Sequence, residues 1–576
     1  FSLLQLGATA LLIYIATKIS YNYARRKNLD EQLDANISRA VSARQGTVEW
    51  ARGVASRMTE ETRREIVGLS FSKLQESLQS GALTAESVLT AYIGAALKTH
   101  QETNCITLFL KESLDEAQAL DRKAADSSFV KMPFFGIPMS VKETPGVRGS
   151  TYSFGGAAML TRPKNERDPF FVAVARENGA IPFCLTNTPL SLMAVTTINP
   201  VYGTTRNPHR KDRSAGGSSG GEGAIIGGGG SIFGLGSDLG GSIRIPAANC
   251  GCAGFRPSYR RQSMKHYGPT LPGRPFVWPT DGPMARSIDA CVQLLRITWQ
   301  KNRMNTADPF IAPVNFREDL FAPGRKYRIG YYTSTEYVTV VPAMEKAVLK
   351  AKKILEKQGH EFVLFNPPGM TDATRLAFSF FGMDGLEGLS AAMNNDRVPE
   401  EFKSIAFFAS LPLWVKYLIG RIAKLFNKRL IADQCAFPFT GSDVQKLIHE
   451  YYTYRNTFTE HMESQGIDAV MSCPTPSPAL KVATPMKIGN STILLTAMYN
   501  MLDFAAGVVK VSEWTEEDDR DMSGYNPKDD FEIVLKEESK GIKGLPIAVQ
   551  VASPPYRDEI VLRILTDLEE ALKEEE

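Results

Sequence analysis

Residues 214–247 read SAGGSSGGEGAIIGGGGSIFGLGSDLGGSIRIPA, and the rest of the chain is interpreted outward from them. Glycine loses more backbone entropy on folding than any other residue, so it weakens any regular element that does not need it. A cluster this dense inside a folded chain marks tight turns, or backbone that must come close to another group. A flexible linker would be Gly/Ser without apolar residues. Here Ala224, Ile225, Ile226, Ile232, Phe233 and Leu235 are interspersed and can be buried. The stretch therefore reads as part of a folded body that presents serines from closely packed backbone.

Short β-rich runs flank it at 136–141 (GIPMSV), 181–185 (IPFCL), 327–332 (YRIGYY) and 469–471 (AVM). They alternate with helical patterns at 71–78, closed by Gly81, at the segment that Thr84 can cap, and at 342–358. Alternation of this kind predicts an α/β fold with a sheet covered by helices. At 576 residues the chain exceeds the size of one ordinary core, so one very large or two smaller domains are expected. Basic and acidic residues number 66 and 63, and no basic stripe is interleaved with aromatics, so nucleic-acid binding has no support. The seven cysteines are scattered and odd in number, which favours a reducing compartment over a disulfide framework. Cys250 and Cys252 form a C-x-C pair without a second cysteine or histidine pair nearby, and no metal site is expected.

Residues 1–17 (FSLLQLGATALLIYIAT) carry no charge, and Lys18, Arg25, Arg26 and Lys27 follow. Seventeen helical residues reach about 26 Å, the short end of a bilayer span, which a few preceding residues would complete. Residues 1–18 are thus expected to form a transmembrane helix, 19–65 a helical stalk, and 66–576 the catalytic domain. Basic residues on the C-terminal flank favour leaving that domain in the cytosol.

Three chemistries compete for the glycine–serine stretch. GxxxxGK[ST] and a strand-linked GxGxxG are absent, which weakens a nucleotide reading. Gly216–Gly220 and Gly217–Gly221 both satisfy GxSxG, yet such a match comes easily in a glycine run. It also needs a histidine and an acid, and none of His100, His209, His266, His360, His449 and His461 lies in a run resembling a catalytic loop. Lys142 ends the apolar run 134–141 (FFGIPMSV). A lysine held where water is scarce has its pKa lowered, because desolvation disfavours the ammonium, and the neutral amine can then serve as a base.

The stretch resembles the amidase signature family throughout, with GGSSGG at 216–221 and GSDLGGSIRIPA at 236–247. Flanking segments agree: GIP at 136–138 up to Lys142-Glu143, GPMAR at 282–286, Asp468 with Pro474-Thr475-Pro476, and GLPIAVQ at 544–550. The resemblance covers roughly residues 66–570. It implies a large, mixed, mostly parallel twisted sheet with helices on both faces. Within the family, the likeness is strongest to membrane-bound members that hydrolyse fatty acid amides. Asn187-Thr188-Pro189 leading into Ser191, the N-terminal segment and an insert at about 408–432 carry it. In that insert Leu, Trp, Tyr, Ile and Phe alternate with Lys416, Arg421, Lys424, Lys428 and Arg429, as in an interfacial helix pair.

The resemblance implies a Ser-Ser-Lys triad of Lys142, Ser218 (preceded by a cis peptide bond) and Ser242, the last forming an acyl-enzyme. It places backbone N–H groups of Leu239, Gly240, Gly241 and Ser242 around the oxyanion and the backbone of Leu192 beside the substrate, with Ser219 and Arg244 in support. It implies no cofactor and no metal. The expected substrates are N-acylethanolamines and primary fatty amides drawn from a bilayer, with monoacylglycerol esters as the alternative. A homodimer on the endoplasmic reticulum or another endomembrane is the expected setting.

Overall fold

The apolar runs at 136–141, 181–185 and 469–471 form strands buried on both faces, and that at 327–332 one that is partly so. The computed structural model describes residues 3–263, 265, 276–426, 428–489 and 491–575, with side chains described from residue 26 onward. Its strands are β1 (Ile106–Phe109), β2 (Pro138–Lys142), β3 (Ile181–Thr186), β4 (Ile198–Asn199), β5 (Gly203–Thr204), β6 (Phe233–Asp238) and β7 (Ala253–Arg256). There follow β8 (Thr280–Ala285), β9 (Arg328–Tyr331), β10 (Glu361–Leu364), β11 (Ala469–Ser472), β12 (Ala505–Glu513) and β13 (Pro546–Ser553). Eleven of these form one sheet in the order β1-β3-β2-β6-β8-β7-β12-β13-β11-β9-β10, while β4 and β5 pair separately.

The sheet is mixed, but it is not mostly parallel. Only β3–β2, β2–β6, β11–β9 and β9–β10 are parallel; β1–β3 and the whole centre from β6 to β11 are antiparallel. The reason lies in which runs the sequence advertises. The four apolar runs that alternate with helices become β2, β3, β9 and β11, and these do sit in the parallel flanks, where a crossover helix is required. The centre is built from β7, β8, β12 and β13, whose antiparallel pairing requires no crossover helix.

Both faces are covered. Successive residues of a strand point to opposite sides, so Met284 and Val508 enter one apolar cluster while Ala285 and Val509 enter the other. One cluster packs beneath helix Asp558–Glu575, whose Ile560, Leu562, Leu565 and Leu568 are fully buried. Each such side chain contributes about 1.5–3 kcal/mol of burial, and Leu565→Ala would cost about 2–5 kcal/mol. The other cluster packs beneath helices Ala85–Thr103, Gly220–Gly227 and Arg244–Cys250.

A helix runs from Leu3 to Ala55. The segment read as a stalk lies against the body for much of its length: Leu33, Ala51 and Val54 are buried, and Arg397 pairs with Asp34 at 2.6 Å and Asp30 at 3.0 Å. The span expected over residues 1–18 falls on side chains outside the described ones. Among the described residues, no single helix is long and apolar enough to cross a bilayer.

Candidate active site

Three neighbouring parallel strands, β3, β2 and β6, end at the same edge, and Lys142 and Asp238 are the last residues of β2 and β6. In open α/β sheets the crevice outside the carboxyl ends of such strands is the usual binding place. The glycine–serine stretch crosses this edge twice, first at Ser218 and again at Ser242.

Lys142 is completely buried, and its Nζ lies 2.8 Å from Ser218 Oγ and 2.8 Å from Ser237 Oγ. Burial lowers its pKa to about 7 against the opposing pull of Asp281, Asp238 and Glu222. Near neutral pH the amine can thus accept a proton from either hydroxyl. The Gly217–Ser218 peptide bond is cis. Ser219 ties the two crossings together: its N–H donates to the Ser242 carbonyl at 3.2 Å, and its hydroxyl accepts the Ser237 N–H at 3.3 Å.

The loop from Leu239 to Ile243 is wound around one carboxylate. Asp238 accepts the N–H groups of Gly241 (2.8 Å) and Ile243 (3.1 Å), and Arg244 grips the same carboxylate at 3.1 Å through both Nε and Nη2. Burial would raise the Asp238 pKa, but the Arg244 guanidinium overrides it and holds the carboxyl well below the usual range. Gly241 has φ of +123°, which disfavours any side chain, and a Cβ there would also meet Thr496 Oγ1. With its N–H committed to Asp238, Gly241 differs from its neighbours. Among the described residues the N–H groups of Leu239, Gly240 and Ser242 donate to no hydrogen bond, so three of the four expected donors stand open.

Ser242 is half-buried and opens onto a cavity of about 270 Å³. Leu192, Leu239, Phe378, Phe381, Phe408 and Ile493 line it, together with Ser242 and Gly240. Leu192 lines this space, and its φ of +59° turns the chain past the serine. Arg244 is buried and reaches the Thr496 carbonyl at 3.1 Å, Gln550 Oε1 at 3.3 Å and Asn500 Oδ1 at 2.5 Å. It anchors the loop from behind.

The insert forms helices Lys403–Ser410 and Leu413–Leu425, the segments Glu400–Ser410 and Leu413–Leu425 meeting at 105°. Phe407, Trp414, Leu425 and Phe426 are exposed on it, while Ile405 and Phe408 line the cavity. Two of its expected interfacial cations are turned inward. Lys416 is buried and donates to the carbonyls of Gly385 (2.6 Å) and Ala409 (2.7 Å), and Arg429 pairs with Asp529 at 2.7 Å. Free carbonyls at a helix end attract a cation more strongly than an alternating pattern reveals.

Ser237 and Asp238 were visible in the quoted run but lacked a role until their bonds were seen. Thr496 and Asn500, one helical turn apart on helix Leu494–Met501, carry no motif.

The sequence pattern of the amidase family matches residues 87–562. The chain belongs to the amidase signature family. Relatives of this amidase include fatty acid amide hydrolase 1 of Caenorhabditis elegans, 33% identical over 572 residues (99% of this chain, 98% of that one). Fatty-acid amide hydrolase 1 of Sus scrofa is 33% identical over 509 residues, covering 88% and 86% of the two chains. A solved fatty acid amide hydrolase superimposes with a TM-score of 0.75 at 24% identity, covering 93% of this chain and 90% of that one. A 6-aminohexanoate cyclic dimer hydrolase shares the fold with a TM-score of 0.64 at 21% identity, covering 88% and 97%.

Proposed function

We propose that this amidase is a membrane-associated serine hydrolase that cleaves fatty acid amides, N-acylethanolamines and primary fatty amides among them. One observation carries the reading: the apolar cavity opens beside Ser242 and is walled in part by helix Lys403–Ser410, while the adjoining helix Leu413–Leu425 exposes aromatic and aliphatic side chains to the outside. An acyl chain buried in that cavity places its carbonyl carbon at Ser242. The names of the relatives at 33% identity support the substrate class.

In this reading neutral Lys142 accepts a proton from Ser218 as Ser218 accepts one from Ser242, which attacks the carbonyl. The oxyanion is met by the open N–H groups of Leu239, Gly240 and Ser242, each worth roughly 2.7–4 kcal/mol of barrier. Ser218 then hands its proton to the leaving nitrogen, because an unprotonated amine departs poorly, and Lys142 returns one to Ser218. Water hydrolyses the acyl-enzyme by the same relay in reverse. Purified protein should turn over an N-acylethanolamine faster than the matching monoacylglycerol, and Ser242→Ala should abolish both activities and labelling by a fluorophosphonate. Faster ester turnover would move the assignment to a lipid esterase; labelling that survives in the variant would remove Ser242 as nucleophile.

A further inference from the structure

No step of the proton relay passes through Glu222, yet it is a completely buried acid whose charge acts on Lys142. It is the third residue of helix Gly220–Gly227, which starts directly after Ser218-Ser219. Each carboxylate oxygen is held by one hydroxyl: Thr186 Oγ1 donates to Oε1 at 2.7 Å and Ser140 Oγ donates to Oε2 at 2.7 Å. Ser140 precedes Lys142 by two residues on β2 and so shares its face of the sheet. Thr186 is the partner of Lys142 across the β2–β3 ladder. On the other side, β6 brings Gly234 against Glu222 and Ser237 against Lys142. Among the described residues no lysine or arginine is bonded to Glu222. A buried carboxylate held by hydroxyls alone is expensive to keep ionised, so its charge depends on what stands next to it.

We propose that Glu222 is a positioning residue that sets the proton affinity of Lys142. As a carboxylate it favours the ammonium, and as a neutral acid it releases the amine to act as base. The inference rests on Lys142 being that base. Other charged groups face the pair. Asp281 on β8 and Asp238 at the end of β6 also favour the ammonium, the latter largely answered by Arg244; buried Cys105, Cys184 and Cys252 face Glu222. Burial brings the lysine down to about 7 and the glutamate up to about 7, so the two exchange charge in the same pH range.

The test is kcat/KM against pH, with an uncharged N-acylethanolamine, for wild type, Glu222→Gln, Thr186→Val and Lys142→Ala. Removing the carboxylate should move the acidic limb down by about one pH unit. A base titrating near 7 is about one-tenth neutral at pH 6 and one titrating near 6 is about half neutral, so activity at pH 6 relative to the plateau should rise roughly fivefold. Thr186→Val takes one donor from the carboxylate, favours its neutral form, and should shift the limb the same way by less. A Glu222→Gln protein that melts like wild type but keeps the limb in place overturns the proposal. Should that variant fail to fold, an unmoved limb in Thr186→Val overturns it equally. If Lys142→Ala keeps the wild-type limb, the assignment of the base fails instead, and the two failures are told apart.

Discussion

Replacing Asp238 by Asn tests how the oxyanion loop is held. The carboxylate is fully buried, and its Oδ1 accepts from Gly241 N–H (2.8 Å), Arg244 Nη2 (3.1 Å) and Asn500 Nδ2 (2.8 Å). Its Oδ2 accepts from Ile243 N–H (3.1 Å) and Arg244 Nε (3.1 Å). Whichever way an asparagine amide is turned, its NH₂ group faces at least two donors and no acceptor. The change also leaves the Arg244 guanidinium buried without its counter-charge. Breaking one side of such a pair costs about 3–5 kcal/mol, which lowers the melting temperature of a domain this large by roughly 3–4 °C. Losing the alignment of one oxyanion donor lowers kcat by roughly 10²–10³.

Thermal unfolding and steady-state turnover on the same preparation check both numbers. The pH dependence adds an independent sign. Asp238 has a native pKa depressed below its unfolded value of about 3.9. Its contribution is therefore fully present above pH 4 and is lost as pH falls below it through the native value. The gap in melting temperature between wild type and Asp238→Asn should narrow from pH 5 to pH 3. A variant within about 1 °C and threefold of wild type, with a pH-independent gap, would refute the account of the loop.

Lys142→Met should abolish turnover while raising stability. The native pKa of about 7 lies below the unfolded value, so the unfolded chain binds the extra proton and folding is opposed by several kcal/mol at pH 7 and below. That penalty fades as pH rises towards 10, so the variant should melt above wild type at pH 7 and the two should converge by pH 10; a variant that melts lower throughout contradicts the neutral lysine. Replacing exposed Trp414, Leu425 and Phe426 together by Ser should weaken binding to lipid vesicles at least 100-fold, since each apolar side chain contributes about 1.5–3 kcal/mol on leaving water. Unchanged vesicle binding would clear the insert of any part in it.

What could be read from the sequence follows from distance along the chain. Ser218, Ser219, Ser237, Asp238, Ser242 and Arg244 fall within 27 consecutive residues, and the loop they build is closed by bonds between near neighbours. Such a site leaves a contiguous pattern, and the glycines mark where backbone must approach backbone. Lys142 lies remote from them, and the end of a buried strand made it noticeable, whereas Thr496, Asn500 and Gln550, which hold Arg244 from behind, left no signal. The sheet was legible where strands and helices alternate and misread where they do not. Antiparallel β7, β8, β12 and β13 need no crossover helix and are rich in small residues, so nothing in the sequence announced their direction.

The cavity obeys the opposite rule, and this explains why the chemistry was clearer than the substrate. Its walls come from residues near 192, 239–242, 378–408, 434–437 and 486–493, segments that no spacing links. Lys416 shows the consequence. Its place in an alternating apolar–basic run made it look like a lipid-facing cation, yet folding puts the carbonyl of Ala409, in the last turn of its helix, and that of Gly385, in a turn, within 2.7 Å of it and turns it inward. The insert therefore divides between its helices: Ile405 and Phe408 on the first line the cavity, Lys416 ties the second to the Ala409 carbonyl of the first, and Trp414, Leu425 and Phe426 are left for the solvent side. In the proposed reading, a substitution on the exposed side chains should change where the enzyme acts, and one on the cavity lining which acyl chain it accepts. The proposed triad of Lys142, Ser218 and Ser242 should be indifferent to both.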